Sequence, residues 1–126
     1  MRELTSNQRD ALRYLLAAVV LADGRIFESE LAAYAVKLRG LIGEESDPAE
    51  ESRWLLDHAL EVKTHMSGPG GRAWLGRQVL VLHSSGRIGE LLDALWSVAV
   101  SDRDLHPAES DIIDLAFSLW PSASAA

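Results

Sequence analysis

Acidic side chains recur at one fixed spacing in two places along the chain. Asp23 and Glu30 stand seven residues apart, and Asp102 and Glu109 repeat that spacing 79 positions later. Asp104 adds a third carboxylate to the second copy. Carboxylate oxygens are the ligands that Ca²⁺, Mg²⁺ and Mn²⁺ prefer in proteins. The pattern therefore predicts a divalent-cation site formed by Asp23, Glu30, Asp102, Asp104 and Glu109.

A purely structural explanation of these carboxylates is also open. A glutamate in the first turn of a helix meets unpaired amides and the positive end of the helix dipole, which stabilises the helix by about 0.3–1 kcal/mol. Glu30 and Glu109 could therefore be helix caps. Asp23 and Asp102 could be turn formers, because an aspartate in a turn commonly accepts hydrogen bonds from the amides that follow it. Neither loop has the ligand spacing of an EF-hand.

Helices are the elements that must position these carboxylates, because apolar residues recur at helical spacing along most of the chain. No segment alternates apolar and polar residues for long enough to predict a strand. Asp47 followed by Pro48 is the clearest helix start, Ser6 is a second cap, and Gly24 and Gly43 are predicted helix ends. The predicted helices cover about residues 6–22, 28–41, 48–65, 72–83, 88–100 and 107–120. The fold class is therefore all-α, a compact bundle of six to seven helices.

The first two and the last two predicted helices look like copies of one hairpin. A shift of 79 positions aligns Leu12 with Leu91, Leu16 with Leu95, Asp23 with Asp102, Ile26 with Leu105, Glu30 with Glu109 and Leu38 with Phe117. This internal duplication predicts one domain over residues 1–126, with repeat units at about 10–42 and 88–120 related by a pseudo-twofold axis. Residues 121–126 are predicted to be a flexible tail.

The same segments resemble a known family. Residues 15–26, with Glu30 after them, resemble the helix-turn signature of the TerB tellurite-resistance family and of the related N-terminal domain of DjlA co-chaperones. Residues 101–109 resemble the second copy in that family, although Arg103 stands where a glycine is expected. The resemblance covers about half the chain and implies an all-helical, pseudo-symmetric cytoplasmic domain without established enzymatic activity, linked to tellurite and general stress resistance. It also implies candidate metal ligands at Asp23, Glu30, Asp102 and Glu109.

Composition limits the functional classes. The chain has 126 residues, a net charge of −7 and no cysteine. The absence of cysteine excludes disulfide scaffolds and thiolate metal sites, and the acidic balance argues against nucleic-acid binding. The longest apolar run, residues 15–22, is too short to span a bilayer and no secretory signal is visible, so we expect a cytoplasmic protein that does not span the membrane. No Ser-His-Asp arrangement or nucleophile elbow is present, so we expect no enzyme.

A metal-free adaptor that acts through an exposed helical face, or by dimerisation, is the alternative function. Residues 62–89 carry a local charge of +4. If Trp74 were exposed beside Arg72, Arg77 and Arg87, this segment would offer a docking surface for an acidic partner, whereas core packing is the competing explanation for Trp74. Three further side chains share one helical face and favour a solvated polar surface over a metal site: His58, Glu61 and His65.

Overall fold

The chain folds into a bundle of helices. The computed structural model describes residues 3–22, 26, 28–43, 46–101 and 106–120, which contain no strand. The helices are α1 (Ser6–Leu21), α2 (Glu28–Ile42), α3 (Pro48–Ser67), α4 (Gly71–Leu82), α5 (Ile88–Ala99) and α6 (Pro107–Leu119), and a 3-10 turn covers His83–Ser85. The predicted all-α bundle is confirmed. Within the described ranges no helix is both long and apolar enough to cross a membrane.

Local capping signals set the helix ends. The N-cap of α1 is Thr5 rather than the predicted Ser6, because the Thr5 hydroxyl accepts a hydrogen bond from the Gln8 N–H at 3.2 Å. The Gln8 side chain accepts in turn from the Thr5 N–H at 3.0 Å, which completes a capping box. Asp47 caps α3 as predicted. Gly43 ends α2 with a φ of +104°, a backbone conformation that glycine adopts without steric cost.

Helix α1 lies at the centre of the bundle. It packs against each of the other five helices, and every residue from Ala17 to Leu21 is buried. A helix enclosed on all sides needs apolar residues on all its faces, which explains the uninterrupted apolar run noted in the sequence. The C-terminal end of α6 is fixed to α4 by Trp120, whose indole N–H donates to the Val79 carbonyl at 2.7 Å.

Most of the aligned hairpin residues that the structure describes have matching burial. Leu12, Leu16, Leu91 and Leu95 are all at most 1% exposed. Ile26 packs partly buried against the core, whereas its counterpart Leu105 lies outside the described residues. Phe117 is 52% exposed although the aligned Leu38 is fully buried. The predicted tail, residues 121–126, and the predicted helix end at Gly24 also lie outside the described residues, and the pseudo-twofold relation stays a prediction.

Candidate functional site

Two of the five predicted cation ligands are described, and both are buried. Glu30 and Glu109 have 0% of their surface exposed to solvent. Each lies in the first turn of the second helix of its hairpin, α2 for Glu30 and α6 for Glu109. The other predicted ligands, Asp23, Asp102 and Asp104, lie outside the described residues. Complete burial is unusual for a glutamate unless the carboxylate is paired, because an ionised carboxylate loses its hydration when it is buried.

Glu109 caps the helix in which it lies. Its Oε1 accepts a hydrogen bond from the His106 N–H at 2.9 Å, and Nδ1 of His106 accepts from the Ala108 N–H at 3.1 Å. With Pro107 at the first helical position, these reciprocal bonds form a capping box. The capping role raised from the sequence is therefore observed for Glu109.

Capping accounts for only one of the two carboxylate oxygens of Glu109. Its Oε2 is buried and has no hydrogen-bond partner among the described residues. A buried acceptor without a partner costs about 1–3 kcal/mol. Because both oxygens belong to one carboxylate, Oε2 lies with Oε1 at the start of α6, directly after residues 102–105. Within the described ranges no three Asp, Glu or His side chains come together as ligands of one metal ion.

A buried ion pair joins α1 to α3 and was not predicted from the sequence. Glu51, only 4% exposed, accepts from Nε and Nη2 of Arg13 at 2.8 and 2.9 Å and from the Ser46 hydroxyl at 3.0 Å. The hydrogen bond to Glu51 raises the pKa of the Arg13 guanidinium. Arg39 donates to the Ser46 carbonyl at 3.1 Å, so the network also holds the segment between α2 and α3. The one sequence signal was that Glu51 lies one helical turn before the core residue Leu55.

A row of aromatic rings lies where α1, α3 and α4 meet. Tyr14 of α1 contacts Trp54 and Trp74 edge to face, with ring centroids 5.3 and 5.6 Å apart. His58 stacks on Trp54 at 4.2 Å, and His65 stacks on Trp74 at 4.7 Å. Trp74 is only 7% exposed, so core packing, the competing explanation, holds for Trp74 and the condition for a docking surface around it is not met. Tyr14 and His65 both contact the Trp74 ring, which contributes to its burial.

Polar side chains of α3 make hydrogen bonds beside these aromatic rings. Nδ1 of His58 donates to the Trp54 carbonyl at 2.8 Å, because a carbonyl oxygen can only accept. Glu61 accepts from the Tyr14 hydroxyl at 2.8 Å. His58, Glu61 and His65 do not form a metal-binding group. These three residues therefore form a polar surface, as predicted, and they also contact the aromatic residues of α1, α3 and α4.

Comparison with protein-family models, with curated proteins and with solved structures finds no match to this chain. The fold and the site by themselves define an all-α bundle in which two hairpins each bury a first-turn glutamate.

Proposed function

We propose that this chain is a TerB-like helical module, with no catalytic reaction of its own, whose two acidic hairpins bind a divalent cation. The association of that family with tellurite and stress resistance is part of the same proposal. The observation that supports it best is the complete burial of Glu30 and Glu109 at matching positions of the two hairpins. Glu109 is a fully buried carboxylate directly after an acidic segment, and its Oε2 has no hydrogen-bond partner among the described residues, which favours a cation that offsets its charge.

In the second hairpin, the position of Glu109 supports cation binding. Capping by His106 holds the carboxylate at the start of α6, and its second oxygen lacks a hydrogen-bond partner among the described residues. A cation bound by this oxygen would take further ligands from Asp102 and Asp104, which precede α6 in the chain. Oxygen ligands of this kind select Ca²⁺, Mg²⁺ or Mn²⁺ over softer metals.

Thermal unfolding tests the proposal directly. The chain is freed of metal with a chelator and melted with and without millimolar Ca²⁺, Mg²⁺ or Mn²⁺. A cation that binds only the folded state at about a hundredfold excess over Kd adds about 2.7 kcal/mol. For a domain of this size we expect the melting midpoint to rise by roughly 6–12 °C. Unchanged midpoints with all three cations would exclude the cation-binding function.

The substitution Glu109→Gln separates cation binding from helix capping. Glutamine keeps the length of the side chain and the acceptor that the capping box needs, but it removes the charge. We expect Glu109→Gln to unfold at or above the parent midpoint in chelator and to show no rise with the cation. Asp114→Asn, an exposed carboxylate on the same helix, serves as the matched control and should keep the full rise. An equal rise in Glu109→Gln would place the cation elsewhere.

The metal-free adaptor remains the second candidate because α3 carries an exposed apolar pair. Leu56 and Leu60 lie one helical turn apart and are 53% and 77% exposed. Capture of partners from lysate in excess chelator distinguishes the candidates. An adaptor should retain one identified protein in chelator and lose it in Leu60→Glu, whereas a cation-dependent module should lose any partner when the cation is removed.

A further inference from the structure

Helix α4 has one side packed into the bundle and one side exposed to solvent. The packed side contacts α1, α3 and α6. On the other side Ala73, Arg77 and Leu80 follow one another at spacings of four and three residues, so they share one face of the helix. The α4 outer face consists of five exposed residues: Arg72, Ala73, Arg77, Leu80 and Val81.

Two apolar side chains of the α4 outer face are in contact with water. Leu80 is 55% exposed and Val81 is 39% exposed. They lie three and four residues after Arg77, so both are its neighbours on the helix surface. Single exposed apolar side chains are common on proteins. The charge around this pair must therefore show what the face binds.

The α4 outer face belongs to a basic segment of an acidic chain. Residues 62–89 contain four Lys or Arg residues and no carboxylate, whereas the rest of the chain contains all 19 acidic residues. Arg87 is buried and forms an ion pair with Glu90. Arg72 and Arg77 are exposed, and no carboxylate among the described residues lies within ion-pair distance of either one. The face therefore carries two cations that the described residues leave unpaired.

The nearest element with a facing carboxylate is α6. Asp111 lines a cavity of about 210 Å³ together with Arg72, but the two side chains form no ion pair, and Asp111 is itself exposed. Arg77 lies more than one helical turn further along α4 and does not line this cavity. The positive charge of the α4 outer face is therefore not neutralised by α6.

Unpaired charge of a single sign favours an acidic partner. A guanidinium can donate two parallel hydrogen bonds to one carboxylate, and arginine and apolar side chains together are typical of the centre of protein interfaces. A nucleic acid or an anionic membrane is a large surface with many phosphates, so it would also repel the acidic remainder of the chain. A short acidic segment of another protein meets only the basic face.

We propose that the α4 outer face binds an acidic amphipathic helix of another protein. Leu80 and Val81 pack against the apolar stripe of that helix, while Arg72 and Arg77 bind carboxylates beside the stripe. The two arginines are about 7.5 Å apart along the α4 axis, and carboxylates one turn apart on a partner helix are separated by about 6 Å. This binding requires no cation and uses a surface separate from the leucine pair on α3.

Selection from a phage-displayed library of random peptides tests the chemistry of the partner. The peptides have about 20 residues, enough for five helical turns. The full chain is immobilised in excess chelator, so the result does not depend on cation binding. We expect the enriched peptides to carry several Asp or Glu residues beside apolar residues at helical spacing. The most enriched peptide is then synthesised and titrated into the chain by calorimetry.

Arg77→Glu and Leu80→Ser should each weaken binding of that peptide by about tenfold or more. Both side chains are exposed, so circular dichroism should show the same helix content as the parent. Added salt should also weaken binding, because exposed charges are screened. Arg53→Glu is the matched control, since it makes the same change of charge at an exposed position of α3 and should leave binding unchanged.

Three results would overturn the proposal. The first is that no peptide is enriched, or that the enriched peptides are not acidic. The second is that Arg53→Glu weakens binding as much as Arg77→Glu, which would show attraction to the overall charge rather than to this face. The third is binding to vesicles of anionic phospholipid that Arg77→Glu abolishes, with no acidic peptide enriched, which would assign the face to a membrane surface.

Discussion

At the scale of single residues, the buried side chain of Glu51 makes three hydrogen bonds that sequence patterns did not reveal. It binds Arg13 through two hydrogen bonds and Ser46 through a third, while almost completely buried. Removing one partner of such a pair leaves an uncompensated charge on the other. Loss of Glu51 would therefore destabilise the protein mainly because the Arg13 guanidinium would lose its charge partner.

We expect Glu51→Ala to lower the free energy of unfolding by about 3 kcal/mol, at the low end for buried pairs because Arg13 keeps 21% of its side chain exposed. Urea unfolding measures this change. Glu50→Ala, an exposed carboxylate in the same helical turn, is the control and should cost less than about 1 kcal/mol. A loss below about 1 kcal/mol in Glu51→Ala would contradict the assigned role.

Both tyrosines should resist ionisation in the folded protein. Burial, and then the hydrogen bond to Glu61, raise the pKa of Tyr14 to about 12. Burial, and then the charge of Glu51, raise the pKa of Tyr34 as well. In the unfolded chain a tyrosine ionises near pH 10. The stabilising contribution of Tyr14 is therefore complete below about pH 10 and is lost as the pH rises towards and through about 12, and the contribution of Tyr34 has the same sign.

Ultraviolet absorbance of tyrosinate measures this ionisation. The folded chain should show almost no tyrosinate between about pH 10 and 11, whereas the chain in urea should titrate near pH 10. Tyr14→Phe keeps the aromatic ring but removes the hydroxyl, so the step near pH 12 should disappear. A tyrosine that ionises near pH 10 before the protein unfolds would contradict the raised pKa of both tyrosines.

The positions of Glu30 and Glu109 were predictable from the sequence, but their complete burial was not. First-turn placement follows from local spacing, whereas burial depends on which helices cover the hairpin end. The burial of the tryptophans could not be predicted from local spacing either. Trp74 and Trp96 both lie on apolar stripes, and only the packing of α4 against α1, α3 and α6 decides that Trp74 is the buried one.

At the scale of elements, the α3–α4 connection depends on one close contact. A Cβ atom at Gly71 would lie 2.9 Å from the Met66 carbonyl carbon and 3.0 Å from the His65 carbonyl oxygen. These are backbone atoms of the preceding helix, so they cannot move aside as a flexible side chain could. The first turn of α4 therefore packs directly on the last turn of α3 only because position 71 has no side chain.

Gly71→Ala should lower the free energy of unfolding by about 2–3 kcal/mol, since α4 must shift away from α3 to make room. The adjacent Gly70→Ala is the control. Its Cβ would meet nothing within 4 Å and its φ is −97°, so its effect should stay within about 0.5 kcal/mol. Equal effects of the two substitutions in urea unfolding would contradict the close packing.

At the scale of the whole molecule, one helix connects all the others. Because α1 packs against α2 through α6, no part of the bundle keeps its core when α1 is displaced. The sequence predicted the six helices, since their spans follow from local spacing. It did not predict that α1 is central, although an apolar run covering all its faces was the available signal.

We expect the chain to unfold in a single cooperative step. The four tryptophans lie in α3, α4 and α5 and directly after α6, so their fluorescence reports on most of the bundle while circular dichroism reports on all helices. Both signals should give the same urea midpoint. Separate midpoints would show that some helices unfold independently of α1.

His58 in α3 and His106 directly before α6 hold their protons on opposite ring nitrogens when neutral. His58 uses Nδ1 to donate to the Trp54 carbonyl, whereas His106 uses Nδ1 to accept from the Ala108 amide. Nitrogen-15 spectra should therefore distinguish two tautomers in one small protein, with the proton at Nδ1 in His58 and at Nε2 in His106.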